Sequence, residues 1–224
     1  HFRRYATLHM ALVPMWESLA RNAADTGLPI WRGLFMAFPE DEAVWPILDE
    51  VMVGDGLLLA PVHTPGKSGR AVYLPEGRWY PWTGGPAIDG GATVDVVAAM
   101  TEIPVFARQG TVIATFPDGV MTLVNGSPEV PDASSVGDDR VVYLFPGESG
   151  SFTEVNGLSY TLDESEPLLG KLAFSRGGEV LPACAQPVVA PCVEAQVDRD
   201  VVHVTGAASV AITGAEGGSA TVTA

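Results

Sequence analysis

The stretch SFTEVNGLSYTL at residues 151–162 places two alternating five-residue segments on either side of Asn156-Gly157. Asn-Gly supplies the positive φ angles of a type I′ turn, so this segment predicts a tight β-hairpin. The pattern then repeats. KLAFSR and EVLPA flank Gly177-Gly178, CVEAQV and VVHVTG flank residues 198–200, and SVAITG and SATVTA flank residues 215–218. Short strands at this spacing, each followed by a turn, indicate an antiparallel β-sandwich. No solenoid-type repeat is visible.

Strand character extends well upstream of these hairpins. LLLAPV at 57–62 is a continuous apolar run, and RAVYLP and RWYPW flank a turn at Glu76-Gly77. IPVFARQGTVIATF at 103–116 reads as two strands parted near Gln109-Gly110, whereas residues 125–139, rich in Pro, Ser and Asp, read as a long loop. The beginning of the chain differs. Phe2, Tyr5, Leu8, Leu12, Met15 or Trp16, Leu19 and Ala23 recur at steps of three and four, which predicts one helix over residues 1–24. Pro14 should kink or restart that helix, and Gly27 with Pro29 should stop it. PIWRGLFMAF at 29–38 reads as a buried strand, ended by Pro39. The acidic run Glu40-Asp41-Glu42 suits the first turn of a short helix through Trp45, where it complements the helix dipole. A lone helix and strand bury their apolar faces poorly, so they read as the tail of an α/β domain whose body lies upstream.

Composition narrows the function. The formal net charge is −15, which disfavours nucleic acid and anionic membranes as partners. No apolar run approaches the ~20 residues of a membrane span. The chain begins at His1 with neither an initiator Met nor a leader pattern, as expected for a processed product or a piece of a longer protein. Cys184 and Cys192 are the only cysteines. They pair only in an oxidising compartment, and their spacing fits no zinc pattern.

Catalytic signals are sparse. No phosphate loop, dinucleotide fingerprint, paired-His zinc helix, EF-hand or Gly-x-Ser-x-Gly elbow is present. The histidines, at 1, 9, 63 and 203, are scattered: His9 beside the helix stripe, His63 at a strand end, His203 on a hairpin strand. Asp89, Asp95, Asp138 and Asp139 sit near Gly or Ser, so turns account for them, with a calcium loop as the alternative. Asn125-Gly126-Ser127 matches a glycosylation triplet, but reads better as a turn ahead of Pro128. No residue is assigned as catalytic, cofactor-binding or metal-binding, and substrate-binding residues stay open.

One block carries a specific pattern: Thr26-Gly27-Leu28-Pro29, Arg32, Leu34, Phe38-Pro39, Gly54-Asp55, Ala60-Pro61-Val62, the run 70–75, then Gly77, Trp79, Tyr80 and Trp82. IPVFARQGTVI at 103–113 and LFPGESGSFT at 144–153 extend it. The pattern resembles glycoside hydrolase family 31, the α-glucosidase and α-xylosidase family, at the end of its catalytic barrel and in the β-sandwiches that follow. The chain departs from it at Gly33, where proline is usual, at Val13-Pro14-Met15, where Leu-Pro-Tyr is usual, and at residues 154–157, where a Tyr-Glu-Asp-Asp-Gly run is usual.

The resemblance implies a mainly β fold: two consecutive antiparallel β-sandwich domains preceded by the final helix and strand of a truncated (β/α)8 barrel. The corresponding division is 1–50 for the barrel end, 51–117 for a proximal sandwich and 118–224 for a distal one. Family members are retaining glycosidases, whose nucleophile and acid/base carboxyls stand about 5–5.5 Å apart. By the resemblance both are aspartates on earlier barrel strands, upstream of His1. The implied partners are that barrel, as part of the same polypeptide, and the carbohydrate substrate of the intact enzyme; no cofactor is implied. The isolated chain is then expected to be inactive and to expose Phe2, Trp16, Trp31 and Phe35 where the barrel is missing. The competing readings are a free-standing carbohydrate-binding or adhesion module and a ligand-free structural sandwich. Strand alternation bears on the binding module, because it sends Tyr80 and Trp82 to one face and Trp79 to the other. The two tryptophans then form no flat sugar platform and act as core or interface residues.

Overall fold

The computed structural model describes residues 2–84, 86–99, 101–117, 119–136, 140–145 and 147–163. Beyond these it describes the strand backbones 170–176, 179–180, 194–198, 201–205, 211–215 and 219–223. Cys184 and Cys192, with Asp138 and Asp139, lie outside the described residues.

The N-terminal helical stripe forms two helices, α1 (Phe2–Ala11) and α2 (Val13–Thr26). Pro14 is the second residue of α2, a position whose N–H needs no intrahelical acceptor, so the proline restarts the helix as expected. The expected strand at 29–38 is much shorter. Only β1 (Trp31–Gly33) is extended; Leu34–Ala37 then make one helical turn, α3, closed by Phe38 N–H donating to the Leu34 carbonyl at 2.8 Å. The acidic run leads into a single 3-10 turn, Glu42–Val44, capped by Asp41, whose Oδ1 accepts from Ala43 N–H at 3.0 Å.

The strands that follow are β2 (Val51–Val53), β3 (Leu57–Leu59), β4 (Gly69–Leu74), β5 (Arg78–Pro81), β6 (Ile88–Asp89), β7 (Ala92–Val97), β8 (Val105–Arg108) and β9 (Val112–Thr115). Then come β10 (Arg140–Leu144), β11 (Gly150–Thr153), β12 (Leu158–Asp163), β13 (Gly170–Arg176), β14 (Glu179–Val180), β15 (Glu194–Asp198), β16 (Val201–Thr205), β17 (Ala211–Ala215) and β18 (Ser219–Thr223).

The chain divides into two compact units, residues 22–111 and residues 2–21 together with the described part of 112–224. Residues 22–50, read from the sequence as the barrel end, share the first unit with residues 51–111. In that unit one antiparallel sheet runs β1-β2-β3-β8-β5-β6 and a second is the pair β4-β7. Alternation along β4 points Val72 and Leu74 inward, where they meet Met52, Leu58, Phe106 and Trp79 of the larger sheet. The strands flanking Glu76-Gly77 are therefore not a hairpin pair. β4 bonds β7 and β5 bonds β8, so the chain crosses from one sheet to the other at this turn.

In the second unit one antiparallel sheet runs β15-β16-β10-β9; the other runs β11-β12-β13-β17-β18, with β14 also on β13. The four hairpins expected from the sequence are present as backbone pairs. The first differs in its turn. Thr153 faces Ser159, Gly157 alone among the loop residues has positive φ, at 87°, and Gly157 N–H donates to the Glu154 carbonyl at 3.0 Å. This is a three-residue loop with glycine in the left-handed position, not a two-residue type I′ turn. Asn156 keeps negative φ because its side chain is otherwise engaged: Oδ1 accepts from Leu158 N–H at 2.9 Å and Nδ2 donates to Glu154 at 3.3 Å.

The one-residue difference in register has a large effect, because it exchanges the faces of the first strand. Glu154 joins Leu158, Tyr160 and Leu162 inside, while Val155 is exposed. The buried carboxylate is satisfied on every side. Arg140 Nε donates to it at 2.9 and 3.1 Å, Arg140 Nη2 at 2.9 Å, and the Tyr160 hydroxyl at 2.5 Å. Arg140 stands on β10 and Tyr160 on β12, so this group links the two sheets of the unit. Glu154→Gln removes the carboxylate charge from the buried Arg140–Glu154 pair and is expected to cost about 3–5 kcal/mol in urea unfolding; a loss within the ordinary surface range would contradict the buried pairing.

Candidate functional site

The densest polar group of the first unit forms where the segment before β2 meets β4. Glu50 ends that segment and is 3% exposed. Its Oε1 accepts from Arg70 Nη2 at 3.1 Å and from Tyr73 N–H at 3.1 Å, while Oε2 is buried without a hydrogen-bond partner. Arg70 also donates through Nη1 to the carbonyls of Asp49 at 3.0 Å and Pro61 at 3.1 Å, and pairs with Asp49 Oδ1 at 2.9 Å. Asp49 Oδ2 bonds His63 Nε2 at 2.8 Å. Further along β4, the Tyr73 hydroxyl donates to Asp41 Oδ2 at 2.8 Å.

The electrostatics follow from burial and partners. Burial pushes Glu50 up, against the pull of Tyr73 N–H and Arg70. Burial also pushes Asp49 up, but the hydrogen bonds from Arg70 and His63 outweigh it and hold that carboxyl below its ordinary value. The two act on stability with opposite sign. The Asp49 contribution is present above its unfolded value and is lost as pH falls through the folded one. Glu50 binds its proton more tightly when folded, so its ionisation costs stability as pH rises. Burial and the Asp41 carboxylate push the Tyr73 phenol up to about 12.

Chemically, this arrangement is a clamp. Asp49 and Glu50 are adjacent carboxylates that share one guanidinium. No group of three or more His, Cys, Asp or Glu among the described residues is placed to hold a metal ion. No helix among them is long and apolar enough to cross a membrane.

The other residues singled out in the sequence are dispersed. His9 stacks on Trp16 at 5.6 Å between ring centroids, and His203 lies on β16 opposite Val141. Asp89 pairs with Arg78 at 3.6 Å on the surface, and Asp95 is exposed on β7. Asn125 adopts a left-handed φ of 57°, and Asp132 Oδ2 accepts from Gly126 N–H at 2.8 Å, which makes the glycosylation-like triplet a turn. Trp79 is fully buried, whereas Tyr80 and Trp82 are half-buried. Among the four aromatics expected to be exposed, Phe2, Trp31 and Phe35 are. Trp16 is not; it packs against Val13, Phe116 and Val120 within its own unit. The clamp was not foreseen: Arg70 and Tyr73 belong to the family-like run 70–75, but nothing in the sequence pairs them with Asp49 and Glu50, some twenty residues earlier.

Residues 27–113 match the family model described as the glycosyl hydrolase family 31 C-terminal domain. The chain carries a family 31 C-terminal domain. It is 31% identical over 153 residues to alpha-glucosidase 2 of Bacillus thermoamyloliquefaciens, covering 68% of this chain and 18% of that protein. It is 34% identical over 113 residues to an isomaltosyltransferase of Sporosarcina globispora, covering 50% of this chain and 10% of that one. Among solved structures it is similar to the GH31 alpha-xylosidase of Xanthomonas citri, with a TM-score of 0.61 and 26% identity over 75% of this chain and 19% of that chain. It therefore spans less than a fifth of the length of each of these relatives. Within the family 31 segment lie Arg32, the Arg70 clamp and the Trp79 strand.

The clamp makes a spectroscopic prediction. In an absorbance titration at alkaline pH, the difference between the parent chain and Tyr73→Phe should show a phenol that ionises only near 12, and that ionisation should shift downward in Asp41→Asn. Ionisation of Tyr73 at the ordinary 10.0 would contradict the part-buried Tyr73–Asp41 bond.

Proposed function

We propose that this chain is the C-terminal segment of a retaining α-glycosidase, that it lacks the catalytic aspartates, and that it acts as the structural support of a (β/α)8 barrel belonging to the same polypeptide. The observation that carries this reading is the family-model match over residues 27–113 together with the small share of each relative that the chain spans. The disposition of the acids supports the inactive half of the reading. Asp41, Asp49, Glu50 and Glu154 are each engaged as a cap, in an ion pair or in a buried hydrogen-bond group. A retaining mechanism needs two carboxyls about 5–5.5 Å apart across a sugar-sized opening. On this reading residues 1–50 are the end of the barrel, residues 51–117 and 118–224 are the proximal and distal sandwiches, and the carbohydrate is bound by the upstream part.

The test is kinetic. The 224-residue chain should release no aryl alcohol from an aryl α-glucoside or α-xyloside, while the longer polypeptide encoded by the same gene should do so and lose the activity when either barrel aspartate is changed to asparagine. Clear hydrolysis by the 224-residue chain alone would overturn the reading.

A further inference from the structure

The Arg70 clamp has one carboxylate more than its guanidinium can neutralise. Asp49 and Glu50 both pair with Arg70 Nη2, at 2.9 and 3.1 Å. The rest of that guanidinium goes to backbone: Nη1 to the Asp49 and Pro61 carbonyls, and Nε to the Ala71 carbonyl at 3.0 Å. With both carboxylates ionised, one negative charge is in excess. It falls on Glu50. Asp49 is 43% exposed and also bonds His63 Nε2, whereas Glu50 is almost wholly buried and its Oε2 has no hydrogen-bond partner. A carboxylate taken out of water with an oxygen left unpaired favours its protonated form.

The same side chain fastens a strand. Among the described residues β4 pairs only with β7, and a two-stranded pair is marginal in water by itself. Val72 and Leu74 hold it from the core, and Glu50 holds it through Tyr73 N–H and Arg70. Neutral Glu50 keeps those bonds, because Oε1 still accepts both, and Arg70 keeps Asp49 as its counter-charge. Ionised Glu50 brings the uncompensated charge inside.

We propose that Glu50 is a proton-held latch: it carries a proton on Oε2 while the β4–β7 pair is docked, and loss of that proton to solvent loosens the pair from residues 49 and 50. The charged groups around it are few. Asp49 stands beside it on the same segment, and Arg70 faces it from β4. His63, which follows β3, acts on it through Asp49; its imidazole is 63% exposed and served by water, so the buried carboxyl governs. Asp41 and Glu76 act on the Tyr73 phenol. The directions agree with the geometry. Burial holds Glu50 above the ordinary 4.5. Burial also raises Asp49, but the hydrogen bonds from Arg70 and His63 keep it below the ordinary 3.8. The latch is firm between the two folded values. Asp49 lets go as pH falls through its lowered one, and Glu50 as pH rises through its raised one.

Hydrogen exchange read by mass spectrometry, corrected for the intrinsic effect of pH, tests the latch strand by strand in the 224-residue chain. Protection of β4 and β7 should fall as pH rises from about 5, by up to about tenfold per pH unit, and level off once Glu50 is ionised in the docked state. The infrared carbonyl band of one protonated carboxylic acid should disappear over the same range. β12 of the second unit should not follow. Glu50→Gln, neutral at every pH and of the same shape, should keep the acid-side protection throughout, and His63→Gln should leave the fall in place. Flat protection in the parent chain, no such infrared band, a fall that persists in Glu50→Gln, one that vanishes in His63→Gln, or an equal fall in β12 would each overturn the latch.

Discussion

The first unit depends on one buried ring at the point where the chain changes sheets. Trp79 is fully buried, and its indole N–H donates to the Pro75 carbonyl at 2.7 Å, tying the second residue of β5 back to the residue that follows β4. Gly90 closes the same corner: its N–H donates to the Gly77 carbonyl at 2.7 Å, and a Cβ there would lie 1.9 Å from the Pro75 oxygen. No side chain fits at residue 90 while the indole keeps its bond. Burying an indole of this kind contributes on the order of 4–6 kcal/mol by area, an upper estimate because the unfolded chain already hides part of its surface. Both sheets lean on this ring, since Val72 and Leu74 reach it from one and Phe106 from the other. Aromatics that resemble a sugar platform in the sequence are instead the means by which one strand crosses a core.

In each unit an arginine also gathers acidic groups from elements distant in sequence. Arg70 gathers Asp49, Glu50 and two backbone carbonyls; Arg140 is enclosed by Glu154, the Phe116 ring at 4.9 Å and, through Glu154, Tyr160. Buried ion pairs of this kind add little net stability over apolar packing, but breaking one is costly. Their effect is to specify geometry. The Arg140 pair selects the register of the β11–β12 hairpin by requiring Glu154 inside, and the Arg70 clamp pins β4 to the segment leading into β2.

Much of this was legible in the sequence. Alternation and turn residues gave the late hairpins, and Pro14 and Gly27 marked the helix break and helix end. The ordered residues from Thr26 to Trp82 pointed to the family. What the sequence missed was set by contacts distant along the chain. Asn156-Gly157 is the strongest local signal for a type I′ turn, but Arg140, fourteen residues away, draws Glu154 inward and lengthens the loop by one. Residues 29–38 look uniformly strand-like, yet the chain coils at Leu34 and brings the Phe35 ring back over Gly33. The strands around Glu76-Gly77 look like a hairpin because local pattern does not record which sheet a strand joins. The Arg70 clamp is hidden for the same reason: residues 70–75 mark the family, but their partners show only when β4 lies beside residues 49 and 50.

The account holds that these residues supply packing and not chemistry, and an Arg70→Met variant of the longer polypeptide tests that most directly. Thermal unfolding and kcat on an aryl α-glycoside should be measured on the same preparation, at temperatures below both transitions. The account predicts a lowered Tm with kcat unchanged while the protein remains folded. A kcat that falls with Tm unmoved would place the clamp in the reaction and contradict it.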